Sequence, residues 1–119
     1  MAKGTITHIE FPADDIDRAK RFYGAVAGWE FSEMEGLPNY WLFRTDTASG
    51  GGLGRRGETV GQGVRVYIDV DDLETALASA EANGGSIVTP PSPVPGIGRF
   101  AAVLDPEGNE VGLYEAAPR

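Results

Sequence analysis

The residues best suited to chemistry stand at alternate positions in two short stretches of the chain. His8 and Glu10 form one pair, and Arg65 and Tyr67 form the other. Histidine titrates near neutral pH and can act as a general base, which a neighbouring carboxylate can orient. Arginine stays protonated, so its guanidinium can bind an anionic ligand or stabilise a developing oxyanion. These residue types therefore indicate anion or carbonyl binding, or proton transfer.

Further side chains could complete a pocket around these pairs. Apolar walls with a few convergent polar groups are typical of small-ligand sites, and aromatic rings can stack on a planar ligand. We predict that Gly112 leaves room for a ligand. The other predicted ligand-binding residues are Glu110, Tyr114, Phe100, and either Trp41 or Phe43, with Tyr40 as a further aromatic wall.

Each of these residues also has a plainer interpretation. Arg65 could form a structural ion pair with Glu10 or Asp69, and His8 could be a hydrogen-bonded part of the wall. Tyr67 and Tyr114 are residues of a type that more often lines a pocket than reacts in it. The sequence leaves both interpretations open.

An internal repeat indicates how these residues are positioned. Residues 9–19 run parallel to residues 66–76, with a shift of 57 that carries Asp14 to Asp71. Further along, Asp46 corresponds to Asp105 at a shift of 59. Each copy reads as a strand, a helix and three short strands, so the chain is predicted to consist of two βαβββ modules, residues 1–57 and 62–119.

The first strand of each module has two different faces. In residues 5–11, His8 and Glu10 share one face and lie opposite Phe11. In residues 65–70, Arg65 and Tyr67 share the face opposite the apolar residues. Because successive side chains of a strand point to opposite faces, the chemically active residues should line a cavity together.

Aspartates and glycines mark the ends of the two helices. Asp14 or Asp15 can cap the first helix, and Asp71 or Asp72 can cap the second, because their side chains accept from open backbone N–H groups. This interpretation is preferred to an acid–base pair. Glycines that end the helices can enter the left-handed conformation without steric cost; they are Gly28, Gly84 and Gly85.

The remaining strands are predicted near residues 29–34, 40–44, 51–55, 86–89, 99–105 and 110–115. The proline-rich residues 90–96 are predicted to form a stiff loop, because proline donates no hydrogen bond to a sheet. The glycine-rich residues 50–56 are predicted to form a strand edge or a loop. They are not read as a phosphate cradle, because no helix beginning with Lys and Ser or Thr follows them.

Four segments together resemble the vicinal-oxygen-chelate superfamily, which includes glyoxalase I, bleomycin-resistance proteins and extradiol dioxygenases. The segments are His8–Phe11, Phe22-Tyr23 with Gly28-Trp29, Asp71-Asp72-Leu73 with Gly84-Gly85, and DPEGNEVGLYE at 105–115. The resemblance covers nearly the whole chain. It implies an α+β fold in which two tandem βαβββ modules form a cup-shaped mixed sheet with the helices outside. It also implies a ligand inside the cup and a homodimer.

The resemblance further implies four metal-ligand positions, usually His or Glu, on the first and last strands of each module. The first-strand positions fall on His8 and Arg65, and the last-strand positions fall on Gly112 and, at the shift of 59, on Leu53 beside Gly52. Arginine has no lone pair to offer, and neither glycine nor leucine has a donor atom in its side chain. We therefore expect no metal site and no cofactor.

Composition excludes several classes of protein. The net charge of −8 is spread along the chain and would repel nucleic acid and anionic membranes. The chain has no cysteine, so disulfides and thiolate metal sites are excluded. No long apolar segment occurs near the N-terminus, so we expect neither a signal peptide nor a membrane span, and a cytoplasmic location.

Three functions follow from these observations. We predict metal-independent binding of a small organic molecule, in a homodimer. The main alternative is a metal-free enzyme of the epimerase or cyclase type, in which His8 and Glu10 would be catalytic and His8 the base. A metal-dependent lyase or dioxygenase requires ligands that the sequence lacks.

Overall fold

The computed structural model describes residues 3–45 and 50–117, which form an α+β fold. They divide into two compact units, which we call the N-terminal unit (residues 8–65) and the C-terminal unit (residues 66–117 together with residues 3–7). The element order is βαβββ followed by βαβββ, which confirms the predicted fold class. Asp46, on which the shift of 59 was based, lies outside the described residues.

The elements follow the sequence pattern closely. The helices are α1 (Ile16–Ala27) and α2 (Leu73–Ala82). The strands are β1 (Ile6–Ala13), β2 (Ser32–Glu33), β3 (Tyr40–Arg44), β4 (Gly50–Arg55), β5 (Arg65–Asp69), β6 (Ser86–Val94), β7 (Gly98–Leu104) and β8 (Glu110–Ala116). Among residues 3–45 and 50–117, neither helix is long and apolar enough to cross a membrane.

Strands of the N-terminal unit are ordered β2-β3-β4-β1. β4 pairs parallel with β1 and antiparallel with β3, and Glu10 lies opposite Gly52. The helix-facing side of this sheet packs Leu53 against Ile16 of α1, with Phe11 and Trp41 around them. The face of β1 that carries Phe11 is therefore the core face, as the alternation predicts.

In the C-terminal unit the order is β5-β8-β7-β6, with Tyr67 opposite Gly112. Its core joins Leu73 and Leu77 of α2 to Leu113 of β8. Residues 3–7 hydrogen-bond along β5, since the Asp69 N–H donates to the Thr5 carbonyl at 2.8 Å. Fully buried leucines of this kind each stabilise the fold by about 1.5–3 kcal/mol relative to an exposed position.

The starts of both helices and the end of α1 are closed as expected, whereas α2 ends at Asn83, followed by Gly84 in the left-handed region. The Asp15 carboxylate accepts from the Arg18 N–H at 3.0 Å, and that of Asp72 accepts from the Thr75 N–H at 2.9 Å. These bonds settle the choice between adjacent aspartates in favour of the second of each pair. Helix α1 ends at Gly28, whose φ of 74° places it in the left-handed region.

The prediction of a stiff loop at residues 90–96 was wrong for most of its length. Residues 90–94 belong to β6, which tolerates its prolines because it is the edge strand of its unit and its register shifts on both sides of Thr89. The strand predicted near residues 51–55 is confirmed as β4, and it is an interior strand of its unit, neither an edge nor a loop. Glycine is needed there, because a Cβ at Gly51 would lie 1.9 Å from the Ile9 carbonyl oxygen.

Candidate functional site

A chain of three polar side chains lies on the face of the N-terminal sheet opposite α1. The His8 Nε2 atom lies 2.6 Å from the Tyr40 hydroxyl oxygen, and the Tyr40 hydroxyl donates to Glu10 Oε2 at 3.0 Å. We call these residues the His8–Tyr40–Glu10 chain. Tyr40 and Glu10 are buried, and His8 is partly exposed. The pleat of β1 places His8 and Glu10 two residues apart on this face, and β3 supplies the tyrosine between them.

His8 is kept neutral by its surroundings. Burial lowers the pKa of the His8 imidazole below its usual value, because the charged form loses hydration. A neutral imidazole has one N–H and one lone pair, so it can donate at one nitrogen and accept a proton at the other. At neutral pH the imidazole is therefore in its neutral form.

Arg65 and Glu10 form an ion pair on the same side of the unit. The Arg65 Nη1 atom lies 3.7 Å from Glu10 Oε1, and both side chains are about nine-tenths buried, with relative exposures of 10% and 8%. A buried carboxylate is tolerated when a cation and hydrogen bonds compensate it. Glu10 has both here, so the ion pair between Arg65 and Glu10 that the sequence allowed is present. Ligand binding by Arg65 stays a prediction.

Gly52 makes the position of Tyr40 possible. A Cβ on Gly52 would lie 1.9 Å from the Tyr40 hydroxyl oxygen and 2.1 Å from its ring carbon Cζ. The register places Gly52 opposite Glu10, as it places Gly112 opposite Tyr67. Gly52 is therefore the counterpart of Gly112, and the assignment to Leu53 was wrong. Leu53 is 1% exposed and packs towards α1.

A similar arrangement occurs in the C-terminal unit. A Cβ on Gly112 would lie 2.4 Å from the ring of Tyr67, and that ring meets Phe100 edge-on at a centroid distance of 6.2 Å. The prediction that Gly112 leaves room for a ligand was wrong, because the tyrosine ring takes that space. Tyr67 and Phe100 nevertheless come together, as two predicted wall residues.

Tyr114 and Glu110 lie further along β8. The Tyr114 hydroxyl donates to the Ile97 carbonyl at 2.9 Å, and Tyr114 lies beside Asp69 on the neighbouring strand. Burial raises the pKa of the Tyr114 phenol, and the negative charge of Asp69 adds to this effect. Glu110 is partly buried at the start of β8. Ligand binding by Tyr67, Phe100 and these residues stays a prediction.

Trp41 and Phe43 lie on the helix side of the N-terminal sheet. The Phe43 ring stacks on Trp29 at a centroid distance of 4.1 Å, and Trp41 packs against the core around Leu53. Lys20 lies 5.0 Å above the Trp41 ring. Both residues alternate with Tyr40 and Leu42 along β3, so they lie on the opposite face from Tyr40. Of the three residues predicted as aromatic walls on this strand, Tyr40 is the one that contacts His8.

Comparison with known proteins identifies the family. The sequence pattern of the Glyoxalase/Bleomycin resistance protein/Dioxygenase superfamily matches residues 5–113. The chain belongs to this superfamily. The resemblance drawn from its motifs is thereby confirmed.

Two sequence relatives and one solved structure of similar fold are compared with this chain. The Mycobacterium bovis protein CFP32, whose name describes it as a glyoxylase, is 35% identical over 98% of this chain and 46% of its own length. A glyoxylase-like domain-containing protein of Didymella fabae is 32% identical over 89% of both chains. The crystal structure of methylmalonyl-CoA epimerase from Mycobacterium tuberculosis has a TM-score of 0.69 and 18% identity, over 99% of this chain and 93% of its own. The chain thus spans about half the length of CFP32.

The metal site that the superfamily implies does not fit the residues present. Its four positions carry His8, Arg65, Gly52 and Gly112. An arginine offers no lone pair, and the two glycines offer no side-chain donor. Moreover, a larger side chain at either glycine would collide with a tyrosine ring. One imidazole is too small a donor set for the divalent metals of this superfamily.

A group of three carboxylates in the C-terminal unit has another explanation. Ligand atoms of Asp72, Glu74 and Glu115 lie within 4.8 Å of one another. Arg99 donates to both glutamates, at 2.8–2.9 Å, and thereby lowers the pKa of each. Glu115 also accepts from the Leu73 N–H at 2.9 Å. Asp72 and Glu115 therefore accept hydrogen bonds from N–H groups in the first turn of α2, and Glu74 and Glu115 bind the Arg99 guanidinium.

Sequence reasoning identified His8, Glu10 and Arg65 but missed what joins them. Tyr40 was predicted only as an aromatic wall residue. Gly52 was mentioned only as the neighbour of Leu53, to which we had assigned a metal-ligand position. The alternation of side chains along β3 could have predicted this role, because Tyr40 must lie on the face opposite Trp41 once Trp41 is assigned to the core.

Proposed function

We propose that this chain is a metal-independent member of the superfamily that binds a small organic molecule beside the His8–Tyr40–Glu10 chain and Arg65, in a homodimer. The observation that supports this proposal best is the overlap of tyrosine rings with the Cβ positions of Gly52 and Gly112, at 1.9 Å and 2.4 Å. A metal-binding glutamate or aspartate side chain cannot be accommodated at position 52 or 112 unless the tyrosine ring moves.

The residues that remain favour a ligand with a carboxylate or carbonyl group. A guanidinium presents donors in a planar fork that matches a carboxylate, and a neutral imidazole can exchange a hydrogen bond with the same ligand. The buried Glu10 keeps Arg65 in place through the ion pair at 3.7 Å.

The test uses the single histidine of the chain as a reporter. We would add Mn²⁺ to chelator-treated protein and record the His8 ring signals by NMR, and then titrate benzoate and pyruvate by calorimetry. We expect no paramagnetic broadening at one equivalent of Mn²⁺, and carboxylate binding that is equal with and without EDTA. Broadening of His8 at one equivalent, or binding that EDTA abolishes, would contradict metal independence.

A matched pair of variants tests the assigned residue. Arg65→Gln should weaken carboxylate binding at least tenfold. Arg44→Gln, which removes an exposed arginine of the same unit, should leave it unchanged. Equal affinities of the two variants would remove Arg65 from the site.

Metal-free proton transfer is a second candidate, and the His8–Tyr40–Glu10 chain favours it. A base whose second nitrogen is held by a further polar group is the arrangement found in activated acid–base sites. We would follow deuterium exchange at the methyl group of pyruvate, in D₂O, with metal-stripped protein. Exchange that is lost in His8→Ala supports this candidate, and exchange that survives the substitution excludes His8 as the base.

A further inference from the structure

We propose that Tyr40 is a positioning residue that holds His8 in the Nε2–H tautomer, so that the basic atom of the site is Nδ1. The meaning of this inference for function rests on the site proposed above. The geometry itself concerns the ligand-free protein and can be tested without any ligand.

Counting hydrogens leads to this tautomer. Glu10 is ion-paired with Arg65 at 3.7 Å, so it is a carboxylate and accepts only. The Tyr40 hydroxyl has one hydrogen, which it donates to Glu10 Oε2 at 3.0 Å. The 2.6 Å contact between Tyr40 and His8 then needs its hydrogen from the imidazole, so His8 Nε2 must be the donor.

The opposite assignment leaves an unfavourable contact. If the Tyr40 hydroxyl donated to His8, its oxygen would face the Glu10 carboxylate at 3.0 Å with no hydrogen between them. Tyr40 and Glu10 are 5% and 6% exposed, so water cannot relieve this repulsion. An unsatisfied buried polar group costs about 1–3 kcal/mol, and more when it is charged. The charge of Glu10 therefore decides the direction of both hydrogen bonds.

The backbone around Tyr40 is built to hold its ring in place. Asn39, immediately before it, has a φ of 62°, the one positive value at a residue other than glycine among residues 3–45 and 50–117. The Asn39 carbonyl accepts from the Thr59 hydroxyl at 2.9 Å, and the same hydroxyl accepts from the Arg55 N–H at 2.8 Å. Thr59 thus ties the start of β3 to the end of β4, while Gly52 leaves the space for the ring.

Groups from three strands determine the state of His8. Glu10 on β1 supplies a negative charge, Tyr40 on β3 supplies the connecting hydroxyl, and Arg65 on β5 balances the carboxylate. Tyr40 contacts the His8 ring at Nε2, and this contact distinguishes the two ring nitrogens. Its hydroxyl is therefore the group to remove.

The experiment is ¹⁵N NMR of the single imidazole in ligand-free protein at pH 8. Protonated and unprotonated ring nitrogens differ widely in ¹⁵N shift, and a hydrogen-bonded ring N–H exchanges slowly with water. In the unchanged protein we expect a protonated Nε2, an unprotonated Nδ1 and an observable Nε2–H proton. In Tyr40→Phe, which keeps the ring above Gly52, exchange of that proton should accelerate at least tenfold.

Tyr23→Phe is the matched control, because Tyr23 stacks on Trp29 at the helix side of the same unit. It should leave every His8 signal unchanged. A protonated Nδ1 in the unchanged protein would overturn the inference, even if Tyr40→Phe failed to fold. So would a Tyr40→Phe variant whose Nε2–H exchange equals that of the control. Because no ligand is present, either result is distinguishable from a failure of the proposed binding function.

Discussion

Replacing Gly52 by alanine should destabilise the protein far more than replacing another glycine of the same unit. The added Cβ would lie 1.9 Å from the Tyr40 hydroxyl oxygen, whereas ordinary contact begins at 3.4 Å, so the ring must move by about 1.5 Å. That movement breaks a hydrogen bond of 2.6 Å to His8 and one of 3.0 Å to Glu10. Overpacking costs about 1–3 kcal/mol, and a buried group left unsatisfied costs about 1–3 kcal/mol more. Together these give an expected loss of about 2–6 kcal/mol.

Urea unfolding followed by circular dichroism measures this loss. Gly63→Ala is the control, since a Cβ at Gly63 meets no atom within 4 Å and its backbone is not in the left-handed region. Its stability should change by less than about 1 kcal/mol. In a Tyr40→Ala background, the Gly52→Ala penalty should shrink, because the added methyl group no longer meets a ring. Equal stability of Gly52→Ala and Gly63→Ala would refute the steric argument.

Three further predictions concern other parts of the molecule. Gly112→Ala should lower the unfolding free energy by about 1–3 kcal/mol in the same urea assay, because its Cβ would lie 2.4 Å from the Tyr67 ring; an unchanged midpoint would contradict this. Gly24→Ala should raise it by about 0.5–1 kcal/mol, since this helical position has its nearest atom at 3.6 Å. Burial lowers the pKa of His8 in the folded state, so the unfolded chain binds its proton more readily, and stability should fall as the pH drops below 6.5. Comparing urea midpoints at pH 7.5 and 5.5 should give a smaller difference in His8→Gln than in the unchanged protein, and equal differences would contradict the assignment.

The repeat and the alternation of β1 and β5 were sufficient to predict the faces of their strands. Phe11 packs in the core, and His8 and Glu10 lie on the opposite face, because the period of a strand is fixed by its backbone geometry. Helix ends were predictable for a similar reason, since Asp15 and Asp72 satisfy N–H groups that every helix leaves open.

What the sequence could not supply was register between strands distant in the chain. The correspondence of Gly112 with Gly52 instead of Leu53 depends on loop lengths, and a slip of one residue exchanges the two faces of a strand. The hydrogen bonding of Tyr40 to His8 and Glu10 was not predicted for the same reason. Its contact with His8 spans 32 residues and becomes visible only when β3, β4 and β1 are aligned. The prolines of β6 led to the prediction of a loop, because the sequence did not show that this segment lies at the edge of the sheet, where proline is tolerated.

The pairing of a glycine with a tyrosine ring has a consequence for how this sequence can change over generations. A carboxylate introduced at position 52 would strike the phenol of Tyr40, and a smaller residue introduced first at position 40 would leave Glu10 short of a hydrogen bond. Either order of substitution passes through a weakened protein. The same obstacle exists at Gly112 because of Tyr67. Carboxylates at positions 52 and 112 would therefore require several coordinated replacements, in which each tyrosine changes together with its glycine.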